Sequence, residues 1–201
     1  MSLSTRMIAV LTSVGLLSGV FLTGVNLLTK ERIALNKQRE IEAAVTEVIP
    51  GTYSSEKFYE EKDLTVYGGK DKEGKLIGFA IHASGMGFQG KITFMMGTDS
   101  SLTKINSLVI LEQKETPGLG AKITDKKSFL QYWENKDSSS TLTLRKPAVS
   151  SPEELGPSEI NTITGATITS EAILNTVNSS LGRVRQLIKE GKVSSGGQDA
   201  N

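Results

Sequence analysis

The sequence predicts an α+β domain behind a single N-terminal membrane helix. Three observations predict it: an uncharged apolar run at the start, a series of short alternating segments in the middle, and a long amphipathic segment at the end. Met7 to Thr29 is 23 residues without a charge, bounded by Arg6 and by Lys30, Glu31 and Arg32. As a helix it reaches about 35 Å at roughly 1.5 Å per residue, enough to cross a hydrocarbon core of about 30 Å. Its Ser and Thr side chains can bond back to their own helix, and Gly15, Gly19 and Gly24 make a small-residue face suited to a transmembrane partner. A cleavable secretory signal has a shorter apolar core and a small-x-small cleavage site. The sequence after this run, T-K-E-R-I-A-L, has no such site. The segment therefore reads as an uncleaved anchor (7–29, within residues 1–29).

Residues 30–49 continue as a helix. Ile33, Ile41, Ala44, Val45 and Val48 recur at helical spacing, and Pro50-Gly51 ends the pattern. From residue 50 to residue 190 the sequence reads as one domain. D-L-T-V-Y (63–67) alternates polar and apolar, and D-K-E-G-K (71–75) turns the chain into L-I-G-F-A-I-H-A (76–83). Two further strands follow at 91–97 and 104–112, giving an antiparallel meander. Residues 126–133 read as helix and 141–144 as strand. The final helix spans Ser170 to Lys189, with Ile173, Val177, Leu181, Val184 and Ile188 on one stripe and Glu171 in its first turn. Residues 191–201 read as a disordered tail.

Composition removes most familiar chemistry. The chain has no cysteine, so it offers no thiolate nucleophile, disulfide or iron–sulfur ligand. His82 is the one histidine and builds no multi-histidine metal site. A net charge of +1 gives no nucleic-acid footprint. No residue presents itself as catalytic and none as a metal ligand. The chemistry, if any, belongs to something bound.

Three strings can bind. Gly85 to Gly90 (G-M-G-F-Q-G) satisfies G-x-G-x-x-G, but a strand follows it, whereas a dinucleotide fingerprint opens a helix. It reads as a glycine-rich strand connection. Glu115 to Gly120 (E-T-P-G-L-G) makes a tight turn directly after a strand, which by itself is an ordinary turn. Thr162 to Ser170 (T-I-T-G-A-T-I-T-S) sits at the start of the last helix, where free N–H groups and the helix dipole suit a phosphate and where Thr and Ser also suit simple capping. The residues alone leave both open.

T-G-A-T-I-T-S before an amphipathic helix resembles the flavinylation motif of the FMN-binding domain family, S/T-G-A-T-x-T/S. The E-T-P-G-L-G string about fifty residues upstream resembles the same family's second hallmark. The resemblance covers roughly residues 84–190. It implies an FMN whose phosphate is esterified to Thr167, with Thr164, Gly165, Ala166 and Thr169 around the attachment point and Glu115, Thr116, Gly118 and Leu119 near the flavin ring. The family usually carries an acidic residue six positions before the modified threonine; here that position is Asn161.

One anchor, one connecting helix and one such domain resemble the G subunits of Rnf electron-transport complexes. The homologous C subunits of the sodium-pumping NADH:quinone reductase are typically longer. The resemblance implies an electron-transfer subunit of a ferredoxin:NAD oxidoreductase complex, with other membrane subunits as partners and an ApbE-type flavin transferase for maturation. It places the domain on the extracytoplasmic face of a bacterial or archaeal membrane, where flanking charge alone leaves the side open. A stand-alone anchored flavoprotein reductase and a non-redox structural subunit are the competing readings.

Overall fold

A computed structural model describes residues 2–194, which fall into two units, one up to Glu42 and one from Ala43. Helix α1 (Leu3–Val48) carries the apolar run and is long and apolar enough to cross a membrane. Its polar side chains satisfy themselves as the sequence predicts. The hydroxyls of Ser13, Thr23 and Thr29 donate to the carbonyls of Ala9, Val10, Gly19 and Val25 at 2.8–3.0 Å. Nothing approaches Gly15, Gly19 or Gly24 within 4 Å.

The second unit is built on a six-stranded antiparallel meander. Its strands are β1 (Ser54–Glu61), β2 (Leu64–Lys70), β3 (Leu76–Met86), β4 (Lys91–Asp99), β5 (Lys104–Glu112) and β6 (Lys136–Asp137), in that spatial order. A short parallel pair, β7 (Thr143–Arg145) with β8 (Glu159–Asn161), stands apart from it. Helix α2 (Thr167–Lys189) packs on one sheet face. Val66, Phe79, Ile81, Phe94 and Met96 from the sheet meet Ile173, Val177, Leu181, Val184 and Leu187 from the helix, all fully buried. Leu174 and Leu187 join the predicted stripe, and Ile188 is only partly buried.

The opposite sheet face is covered by the end of α1. Ala44, Val45, Val48 and Ile49 are buried, and the sheet beneath is stripped of side chains. Gly69 and Gly78 are cross-strand partners, as are Ala80 and Gly97. A Cβ on Gly97 would lie 1.9 Å from the Val48 carbonyl oxygen. Glycine is thus required here by close backbone approach, not by a turn.

Several predicted elements shift. Strand β1 lies outside the expected meander because it does not alternate: S-S-E-K-F-Y-E-E is polar almost throughout, as suits a solvent-facing edge. The helix expected at 126–133 is a series of turns ending in one 3₁₀ turn at Leu130–Trp133. Phe129 and Trp133 drive it, packing edge-to-face at 5.7 Å in the core. The strand expected at 141–144 is β7, displaced by two residues. Helix α2 begins three residues earlier than expected, so Glu171 falls past its first turn and pairs with Lys146. Val193 is buried in the core, beyond the expected boundary at 190. The rest of the expected tail, residues 195–201, lies outside the described residues.

Two glycine substitutions test this packing in opposite directions. Gly97→Ala should destabilise the protein by about 1–3 kcal/mol, because the new methyl overpacks against a backbone carbonyl. Gly182→Ala, in α2 with nothing within 4 Å, should stabilise it by roughly 0.5–1 kcal/mol. Thermal unfolding of the detergent-extracted protein, followed by circular dichroism, reads both.

Candidate functional site

The three strings singled out in the sequence converge. The β3–β4 connection is a hairpin loop closed by the Gly87 N–H donating to the Gly90 carbonyl at 2.8 Å. This excludes a dinucleotide fingerprint, since the loop runs between two paired antiparallel strands. The segment after β5 turns at Gly118, whose φ of +77° requires glycine. The third string leads into α2 through Gly165, whose φ of +82° reverses the chain.

One side chain joins them. Glu115 is 5% exposed, and both its oxygens accept hydrogen bonds. Oε1 accepts from the backbone N–H of Gln89 at 2.9 Å and Gly90 at 3.4 Å. Oε2 accepts from the Thr169 hydroxyl at 2.7 Å. A Cβ on Gly87 or on Gly120 would sit 2.5 Å from a Glu115 oxygen, so both glycines clear space for the carboxylate. A second tie runs from the Thr116 hydroxyl to the Gln89 side-chain oxygen at 2.9 Å. A buried carboxylate is tolerable only with such donors around it.

The start of α2 is open. Its N-cap is Ala166, which has no polar side chain, and no side chain bonds the first-turn N–H groups. The hydroxyls nearby are spent otherwise. Thr169 is bonded to Glu115, and the Ser170 hydroxyl donates to the Ala166 carbonyl and accepts from the Ile163 N–H. Simple capping therefore does not explain the run of hydroxyls. Thr167 stands half-buried at the first helical position, beside exposed Thr164 and Gly165. Uncapped N–H groups, a positive dipole end and a free-standing hydroxyl fit a phosphate.

Each predicted site residue is thus placed. Glu115 and Thr169 are buried and bonded to each other; Ala166 is buried at the N-cap; Thr116 is tied to Gln89; Gly118 is exposed; Leu119 is 47% exposed and lies against Gly165. Glu115 thereby faces inward, holding loops together. Gln89 was not anticipated, since a polar residue in a glycine-rich loop carries no periodic signal. Asn161 is 3% exposed at the end of β8. Its Oδ1 accepts from the Val149 N–H and its Nδ2 donates to the Val149 carbonyl, both at 2.9 Å. This two-way bond needs an amide and cannot be made by a carboxylate.

A second concavity, a cleft of about 350 Å³, lies between β2, β3 and α2, away from these loops, with Glu61, Ser84, Asn175, Thr176 and Arg183 in its lining. The Arg183 guanidinium, then the Tyr59 hydroxyl, hold the Glu61 carboxyl below the usual carboxylate range. Among the described residues no group of three His, Cys, Asp or Glu could hold a metal.

Glu115→Ala should destabilise the protein by about 1–3 kcal/mol, by leaving the Gln89 N–H and the Thr169 hydroxyl without their acceptor. Asn161→Asp, nearly isosteric, should cost a similar amount by removing the donor to Val149. Urea unfolding midpoints of the two variants against the parent measure both.

Known proteins share this arrangement of segments. Residues 87–182 match the model of the FMN-binding domain. The chain is 28% identical over 115 residues to the G subunit of the ion-translocating oxidoreductase complex of Methanosarcina acetivorans, covering 57% of this chain and 55% of that protein. It is 30% identical over 130 residues to the G subunit of the Na(+)-translocating ferredoxin:NAD(+) oxidoreductase complex of Acetobacterium woodii, covering 64% and 59%. Against these two the match spans less than two thirds of the relative's length. With the G subunit of the ion-translocating oxidoreductase complex of Pasteurella multocida it is 29% identical, covering 85% of this chain and 88% of that one. The crystal structure of Shewanella oneidensis NqrC shares the fold at a TM-score of 0.51 and 19% identity, over 71% of this chain and 74% of that one. The matched span contains the loop at 87–90, the Glu115 turn and the Thr167 helix start, and by these the chain belongs to the FMN-binding domain family.

Proposed function

We propose that the protein is an electron-transfer subunit of a membrane-bound, ion-translocating ferredoxin:NAD oxidoreductase of the Rnf type, and that it carries FMN as a phosphoester of Thr167. The observation that carries this reading is the Thr167 hydroxyl at the mouth of an uncapped helix, inside a matched FMN-binding domain. The names of the relatives support the complex type, since they are G subunits of ion-translocating oxidoreductases.

The flavin supplies one- and two-electron chemistry when bound, and the protein supplies binding, orientation and electrostatics. The first-turn N–H groups of α2 would hold the phosphate, Gly165 would let the backbone approach it, and Thr167 Oγ1 would bond the phosphorus. Thr164 and Ala166 shape the same turn. Thr116, Gly118 and Leu119 present the turn that flanks it, held in place by Glu115 and Thr169.

Attachment needs a partner. A threonine hydroxyl is a weak nucleophile, and the contacts around Thr167 include no general base. A flavin transferase of the ApbE type would supply one. The bond between the two phosphates of FAD breaks, Thr167 Oγ1 bonds the FMN phosphorus, AMP leaves, and the hydroxyl proton passes to the transferase base. Helix α1 holds the domain at the membrane, and we place the domain on its extracytoplasmic side. There a covalent tether keeps a cofactor that would otherwise diffuse away. The electron donor and acceptor then sit on the other membrane subunits of the complex.

Intact mass of the membrane-extracted protein tests this. The expected result is an increment of FMN less one water, carried by the peptide containing Thr167 and absent in Thr167→Ala. Native protein without bound flavin sinks the reading. Co-purification with an NADH:quinone reductase in place of a ferredoxin:NAD complex would keep the flavin and change the complex.

A further inference from the structure

Between Ala43 and Val193, five large apolar side chains are prominently exposed: Tyr53, Met86, Phe88, Leu119 and Ile168. Scattered singly, such residues need no explanation. Four of these five are not scattered. Met86 ends β3 and Phe88 lies in the loop after it; Leu119 follows the Glu115 turn; Ile168 is the residue after Thr167. The three loops bearing them are the three that Glu115 ties together. Met86 is 71%, Phe88 68% and Ile168 58% exposed.

The loop carrying Phe88 is fixed. Its neighbours Gly87 and Gln89 both lie against Glu115, and Gln89 is bonded again to Thr116. A large aromatic side chain on a fixed loop, facing water, has lost conformational freedom without gaining burial. Such a residue is suited to covering a flat apolar ligand.

We propose that Phe88 stacks on the isoalloxazine ring of the flavin, with the Met86 thioether at the ring edge. Ile168 and Leu119 complete the apolar surface. This rests on the Thr167 tether proposed above: a phosphate held at the mouth of α2 confines the ring to the surfaces beside it. Those surfaces are where the exposed apolar residues collect. Of the four, Phe88 is the aromatic one, able to offer a face to a heteroaromatic ring. Met86 offers the sulfur–aromatic contact that a thioether makes at a ring edge. Both lie outside the two strings that resemble the family's hallmarks.

The test uses the flavin-loaded, membrane-extracted full chain, with flavin content of every variant read by intact mass. An indole in contact with an excited flavin quenches its emission by electron transfer. Phe88→Trp should therefore lower flavin emission severalfold at unchanged load. Phe88→Ala should raise the quenching of flavin emission by added iodide severalfold, as the ring loses its cover. Tyr53→Trp, an exposed aromatic on a different part of the domain, should change neither. Equal emission and equal iodide quenching in parent, Phe88→Trp and Phe88→Ala would overturn the stacking. So would an unchanged flavin signal accompanied by loss of the other membrane subunits from the Phe88→Ala preparation, which would make the patch a protein interface. A parent protein without flavin is a separate result: it overturns the Thr167 tether, and the stacking falls with it.

Discussion

The site depends on one buried carboxylate. Glu115 is separated from Gln89 by 26 residues and from Thr169 by 54, and its two oxygens hold both. None of the three segments it joins is held to another by strand pairing at that point. The loop after β3 is a hairpin end, the segment after β5 has left the sheet, and the residues before α2 have left β8. Without the carboxylate each would keep its own element and lose its neighbours. Burial makes the tie strong, because the charge has no water to turn to and must keep all its protein donors. The glycines at 87 and 120 follow from the same constraint, since a side chain at either would occupy the place of the oxygens.

Much of this molecule is legible in its sequence, for reasons that differ by element. The uncharged run and the α2 stripe are long and periodic, so no local competitor explains them. The β2–β5 meander shows because its strands alternate and its turns carry Gly, Asp and Ser. Strand β1 is hidden because an edge strand is selected for polarity instead of alternation. Strand β8 has three residues, too few for any period. Residues 126–133 suggest a helix by composition, yet burial of Phe129 and Trp133 prevails over helix propensity there. The candidate site is readable as three strings and unreadable as one place. That Glu115 points inward, that Ala166 and not a threonine occupies the N-cap, and that Gln89 bonds Thr116 are all long-range facts.

Asn161 illustrates how far a resemblance reaches. As a departure from a family pattern it looks like a lost charge. In the fold it is a buried amide that both donates to and accepts from the Val149 backbone, fixing the approach of the chain to the Thr162–Ser170 string. The residue is matched to its own surroundings, and a carboxylate there would face a carbonyl oxygen.

The four threonines at 162, 164, 167 and 169 look equivalent in the sequence, and folding makes them unequal. Thr162 is buried with its hydroxyl sealed from solvent, and Thr169 is buried and committed to Glu115. Thr164 and Thr167 keep contact with solvent, and of these two only Thr167 belongs to the helix. Any enzyme that modifies this string thus meets a choice already narrowed by accessibility. Regioselectivity of the modification need not be encoded in a recognition sequence read residue by residue. It is imposed by which hydroxyls the folded substrate leaves within reach, so an unfolded chain would offer four nucleophiles where the native one offers two.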